Sequence, residues 1–225
     1  RSVSSKCGSA DLLEAMGGKI DAQPIDVQRH IDEVGFGFMF APLFHPAMKH
    51  AAGPRKELGV RTVFNLLGPM TNPAGVKRQI VGVYDKTVMR LMAEVLMLTG
   101  SEHVLVVHSH DGLDEFSVCA ASDFVEVRDC KLKEGTMAPT DVGLTQHPAE
   151  SLGGGNPDQN LGILKGILDG EQGPYGDAVA FNAGAVLYVA GLSATLKDGV
   201  GQALEVMNNG KAAKKLNQWV ECSHN

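Results

Sequence analysis

The sequence predicts an α/β fold built on a central, largely parallel mixed sheet flanked by helices. Three observations predict it. Arg78-Gln-Ile-Val-Gly-Val-Tyr84 and Val104-Leu-Val-Val107 are apolar runs of strand length, separated by a segment in which Val88, Leu91, Met92, Val95 and Leu96 recur at helical spacing before Gly100. A strand, a helix and a strand in that order form a parallel crossover, right-handed by the twist of its strands. Phe124-Val-Glu-Val127 and Lys131-Leu-Lys133 are joined through Arg128-Asp-Cys130, the spacing of a hairpin or short meander, which makes the sheet mixed. Both flanking thirds of the chain read as helical.

In the N-terminal third, Asp11-Leu-Leu-Glu14 carries a D-x-x-E helix start and runs into Gly17-Gly18. Pro24-Ile-Asp-Val27 opens a second helix with Val27, Ile31 and Val34 on its apolar face. Phe36-Gly-Phe-Met-Phe40 reads as a strand ahead of Pro42. His45 to Arg61 is a cationic, histidine-bearing helical segment broken at Gly53-Pro54, which puts Arg55 in the first turn of a restarted helix. Asn65-Leu-Leu-Gly-Pro-Met-Thr-Asn-Pro73 holds two prolines, a glycine and two asparagines, the composition of a tight, rigid turn.

In the C-terminal third, Gly153-Gly-Gly155 leads to Asn156-Pro-Asp158, which suits a helix start, and Leu161, Leu164 and Leu168 follow at helical spacing. The glycine triplet lacks the preceding strand and the G-x-G-x-x-G spacing of a phosphate cradle. Val179, Ala183, Val186, Leu187 and Ala190 predict a core helix from Asp177; two more helices follow over Val200 to Met207 and Ala212 to Cys222, the last with Leu216, Trp219 and Val220 on one face.

At 225 residues the chain can bury a sizeable core without disulfides. The formal net charge of −6 leaves no basic excess to hold a nucleic-acid backbone, so nucleic acid is not an expected partner. Four widely separated cysteines without a C-x-x-C pair fit a reducing cytoplasm, and no stretch nears the ~20 apolar residues of a membrane span. The chain starts at Arg1 in a serine-rich segment with no preceding element, so further sequence is expected upstream.

Three clusters carry the chemistry. His108-Ser-His-Asp-Gly-Leu-Asp-Glu-Phe-Ser117 follows the Val104 strand and places Asp111, Asp114 and Glu115 beyond its carboxyl end, where open α/β sheets bind ligands. Crowded carboxylates repel unless solvated or neutralised, and Mg²⁺ takes one or two of them together with substrate phosphates; the alternative is a solvated Asp-Gly turn. Arg1-Ser-Val-Ser-Ser5-Lys-Cys-Gly-Ser9 gathers hydroxyls and cations before a helix start, either a phosphate site or a capped, frayed terminus. Arg55 offers a guanidinium fork able to grip a carboxylate, unless it lies on a solvated basic helix.

Residues 1–14, Phe40 to His50, Arg55 to Pro73 and Asp111-Gly-Leu-Asp-Glu115 closely resemble the anthranilate phosphoribosyltransferase family, in its order and spacing, and the similarity runs on through the C-terminal helices. The resemblance implies the nucleoside phosphorylase/phosphoribosyltransferase type of α/β fold. It implies transfer of the phosphoribosyl group of phosphoribosyl pyrophosphate to anthranilate in tryptophan biosynthesis, with Mg²⁺ on the diphosphate. By position, Arg1, Ser2, Val3, Ser4, Ser5 and Ser9 fall on contacts to phosphoribosyl pyrophosphate, and Arg55 falls on the arginine that binds the anthranilate carboxylate. His45, Gly68 and Pro69 fall near the anthranilate channel, and Asp114 with Glu115 on the metal-binding pair. No general base is implied.

The resemblance also implies that residues 1–225 are mainly the large α/β domain, with about 45–68 contributing to a small helical domain, and that the full-length protein is a cytoplasmic homodimer. The family's Gly-Thr-Gly-Gly-Asp loop and the Lys-His-Gly-Asn before Arg1 are absent from this chain, so the chain alone is expected to be incomplete as a catalyst. Cys7 replaces a frequent serine, and Gly53-Pro54 shifts the usual proline by one position. Two other readings are a pyrimidine nucleoside phosphorylase-like enzyme and a non-catalytic nucleic-acid-binding relative.

Overall fold

The computed structural model describes residues 7–46 and 64–225. They fall into two compact units: the described part of Arg1–Arg61 with Gly153–Glu171 and Met207–Asn225, and the described part of Thr62–Leu152 with Gln172–Val206.

The second unit holds the sheet. Its strands are β1 (Arg78–Gly82), β2 (His103–Ser109), β3 (Ser122–Arg128) and β4 (Lys131–Met137), in spatial order β1-β2-β3-β4. β1 and β2 are parallel, Arg78 opposite His103 and Gly82 opposite Val107; β2/β3 and β3/β4 are antiparallel. The mixed character therefore stands, with the parallel pair formed by the predicted crossover.

The crossover helix, Met89–Leu98, buries Met89, Met92, Ala93 and Leu96 against Val81, Val104, Val106, Val125 and Val127. Leu91, expected on that face, is instead 57% exposed, because the buried stripe is centred one residue away. All of Val104 to Val107 is buried, so both faces of β2 are covered. The helix Pro174–Ala190 also packs on β1 and β2, burying Ala180, Phe181, Ala185 and Val189. Val179 and Val186, predicted core residues, point outward from that stripe. Asn65 to Met70 is helical as part of Phe64–Met70, with Pro69 in its last turn, rather than a turn throughout. The turn follows it, where Asn72 Oδ1 accepts the Ala74 N–H at 2.9 Å.

The first unit is helical among its described residues: Ser9–Ala15, Pro24–Val34, Ala41–Phe44, Pro157–Leu168 and Lys211–Ser223. Its core joins Ala10, Ile20, Val34, Trp219 and Cys222. Lys215 Nζ donates to the Val34 carbonyl at 2.6 Å, occupying an acceptor left open at a helix end. Phe36 to Phe40 is not a strand. Phe36 meets the Trp219 ring edge-on at 5.4 Å, and a Cβ on Gly37 would crowd Ile31 and Val27, so the segment folds back on its own helix. Asn156 and Gln159 exchange reciprocal cap bonds at the start of Pro157–Leu168, as the Asn-Pro-Asp signal predicts. Asp11 stands at the third helical position, where its carboxylate accepts the Gly8 N–H at 2.9 Å, and does not itself begin the helix.

Candidate functional site

The acidic turn lies beyond the carboxyl end of β2 and over that of β1. Two features hold it there. A Cβ on Gly82, the last residue of β1, would fall on the Asp114 carbonyl, so the two backbones approach as closely as only glycine permits. Phe116, 1% exposed, stacks on Phe181 with centroids 4.8 Å apart, and both its backbone polar groups bond to the Asn182 side chain. The Ser109 N–H donates to the Leu113 carbonyl at 2.9 Å, closing the turn.

The three carboxylates separate by role. Asp111 accepts from the Ser117 hydroxyl at 2.5 Å and from the Leu113 N–H at 3.3 Å. Partial burial of its carboxyl acts against ionisation, but those hydrogen bonds and that of Ser109 outweigh it and lower its pKa. Asp111 therefore staples the loop. Asp114 and Glu115 are surface residues. Glu115 keeps solvent contact, yet the protein packed around its carboxyl, and secondarily the charge of Asp114, push its pKa up.

A bound cation would relieve that pair of like charges. Among the described residues no group of three or more His, Cys, Asp or Glu side chains could hold a metal by itself. Two adjacent carboxylates suit Mg²⁺, which binds through few protein oxygens and completes its shell with phosphate and water. The residues present thus fit the ion the sequence pattern implied.

Next to this loop, at the same end of the sheet, Asp123 gathers Lys86 Nζ at 2.6 Å, the Thr136 hydroxyl at 2.6 Å and His110 Nε2 at 3.0 Å. Burial opposes its charge, but these partners prevail and hold its pKa at about 2. A depressed carboxylate stabilises the fold above its unfolded pKa and loses that contribution as pH falls to its folded pKa, here between about 4 and about 2. After allowing for screening at the exposed Lys86, the contribution is ~1–2 kcal/mol. Asp123→Asn is therefore expected to flatten the decline of the urea midpoint over that pH range; parallel curves for variant and parent would contradict the assignment.

Of the other predicted site residues, Gly68 is exposed and Pro69 half-buried on Phe64–Met70 in the second unit. Ser9, exposed at the start of its helix, and His45, half-buried after Ala41–Phe44, belong to the first unit. Arg1, Ser2, Val3, Ser4, Ser5 and Arg55 lie outside the described residues. Sequence reasoning missed Gly82, which lies against the Asp114 carbonyl, and Asn182, which bonds the backbone of Phe116. A glycine near a strand's end signals close approach in general but does not name the approaching group.

Two cavities in the second unit are lined by neither Asp114 nor Glu115. One of about 370 Å³ is lined by Lys86, Arg90, Asp123 and Glu134, and one of about 750 Å³ at the amino ends of β1 and β2 by Arg78, Glu102, Arg128 and Tyr188. Their charged groups are already paired within the protein, Arg90 with Glu134 at 2.7 Å and Arg78 with Glu102 at 3.3 Å.

The family described as "Glycosyl transferase family, a/b domain" matches residues 1–213. The anthranilate phosphoribosyltransferase of Saccharophagus degradans is 50% identical, over 99% of this chain and 67% of that protein, and that of Acetivibrio thermocellus 46% identical, over 98% and 64%. The chain thus spans about two thirds of the length of the curated relatives it matches. Among solved structures, the anthranilate phosphoribosyltransferase of Thermus thermophilus superposes with a TM-score of 0.94 at 46% identity, covering 100% of this chain and 67% of that one. The Saccharomyces cerevisiae enzyme in complex with PRPP and Mg gives 0.87 at 28% identity, covering 96% and 63%.

Proposed function

Because the chain belongs to the glycosyl transferase family of this a/b domain, we propose that it forms the greater part of an anthranilate phosphoribosyltransferase acting in tryptophan biosynthesis. In the reaction, the bond from the anomeric carbon to pyrophosphate breaks and a bond to the anthranilate nitrogen forms. Pyrophosphate leaves, and the amine gives up a proton. The observation that carries the reading is the acidic pair Asp114-Glu115, held beyond the carboxyl ends of two parallel strands in a chain about half identical to enzymes of that name.

Asp114 and Glu115 hold Mg²⁺ against the diphosphate of the donor. Once bound, the ion offsets the charge that builds on the departing pyrophosphate. Arg1, Ser2, Val3, Ser4, Ser5 and Ser9 bind phosphoribosyl pyrophosphate, and His45, Gly68 and Pro69 border the path of anthranilate. Arg55 orients the anthranilate carboxylate through two parallel hydrogen bonds, fixing the amine for attack. The full-length protein is a cytoplasmic homodimer.

The test uses a full-length chimaera in which the Thermus thermophilus relative supplies the third of its length that this chain does not span. Mg²⁺-dependent pyrophosphate release with anthranilate, and no phosphorolysis of thymidine or uridine, is the expected result; the converse would assign a pyrimidine nucleoside phosphorylase. In the same protein Arg55→Lys is expected to raise the KM for anthranilate about tenfold or more while leaving that for the donor within about twofold, since lysine cannot reproduce the fork. A rise confined to the donor would place Arg55 on the wrong half of the site.

A further inference from the structure

Asn182 lies in the helix Pro174–Ala190, 66 positions from the residue it binds. Its Oδ1 accepts the Phe116 N–H at 3.0 Å, and its Nδ2 donates to the Phe116 carbonyl at 2.9 Å and to the Ala178 carbonyl at 3.0 Å. These contacts fix the orientation of the amide. Turned over, it would set an NH₂ group against the Phe116 N–H and an oxygen against two carbonyls. One side chain thus does for Phe116 what a neighbouring strand would do, at the peptide that directly follows Glu115.

We propose that Asn182 is the positioning residue of the acidic pair: its amide clasps Phe116 so that Asp114 and Glu115 are presented together above the end of β1. The proposal rests on the reading of Asp114 and Glu115 as the ligands of Mg²⁺ and diphosphate. The physical need is plain. Phe116 is buried, so its N–H and C=O must be paired inside the protein, since either one left unpaired loses its hydration with nothing in return. A carboxylate offers two acceptors and no donor, and alanine or leucine neither, whereas the Asn182 amide sets an acceptor and a donor side by side and satisfies both groups. Without the clasp, the Phe116 peptide turns toward water and carries Glu115 with it. The Phe116–Phe181 stack does not depend on the amide, so the unit stays folded while the carboxylates lose their common aim.

The test measures Mn²⁺ binding by electron paramagnetic resonance in the presence of phosphoribosyl pyrophosphate, using the full-length chimaera and its Asn182→Ala and Asn182→Asp variants. Circular dichroism establishes that each is folded, and Asn182→Asp, which keeps the acceptor and loses the donor, serves if Asn182→Ala is not. The expected result is an apparent Mn²⁺ dissociation constant raised about tenfold, the scale seen when a group that orients metal ligands is removed. At saturating metal, the KM for anthranilate stays within about twofold, a separation that general loosening of the fold would not produce. Asp114→Ala/Glu115→Ala is measured in parallel. If that variant loses Mn²⁺ binding while a folded Asn182 variant binds like the parent, the positioning role is overturned and the metal reading stands. If the acidic-pair variant itself binds Mn²⁺ normally, both are overturned.

Discussion

Replacing Asp114 and Glu115 together with alanine is expected to lower Mg²⁺-dependent formation of phosphoribosyl anthranilate by about 10²-fold or more in the full-length chimaera. The chain supplies no third ligating side chain among the described residues to take over, so the loss should be nearly complete rather than graded. The fold should not suffer. Both carboxylates lie at the surface, and Glu115 is already pushed toward its protonated form by its packed surroundings and by Asp114. Removing the like-charge pair should leave the unfolding temperature equal or raise it. Retained Mg²⁺-dependent turnover would remove the pair from the mechanism; lost turnover with a collapsed unfolding transition would make its role structural.

The second large effect belongs to a residue with no functional group. Gly82→Ala places a methyl group on the Asp114 carbonyl, and backbone on both sides leaves no flexible side chain to move aside. Forced overpacking of this kind costs about 1–3 kcal/mol. Either β1 or the acidic loop must shift, and the loop, stapled by Asp111 but exposed at its tip, is the softer of the two. The expected outcome is a lower urea midpoint at unchanged slope, together with at least about tenfold weaker Mg²⁺ activation. A variant within about 0.5 kcal/mol of the parent and with normal Mg²⁺ dependence would show that the close approach of Gly82 and Asp114 does not position the site.

The parts of the fold legible in the sequence are those encoded by neighbours in the chain. The β1, helix and β2 crossover is written in contiguous apolar runs and a 3.6-residue period, and the β3/β4 hairpin in two runs three residues apart. Phe36 to Phe40 was not legible. Its alternation of glycine and large apolar residues suits a strand, but its real partners, Trp219 and the helix before it, are set by tertiary packing. The acidic turn was readable as a site because it is local. The division of labour within it was not, since Asp111 and Asp114 differ only in which hydroxyls and amides surround them once folded. Gly82 and Asn182 illustrate the same limit: one acts by lacking a side chain, the other across 66 residues, and neither leaves a spacing pattern to find.

The most direct measurement of the central claim is an anomalous-difference map from crystals of the full-length chimaera grown with phosphoribosyl pyrophosphate and Mn²⁺. The expected result is a metal peak joining the carboxylates of Asp114 and Glu115 to the diphosphate, beyond the carboxyl ends of β1 and β2. Donor bound with its metal away from both residues, or bound at the amino ends of those strands, would contradict it.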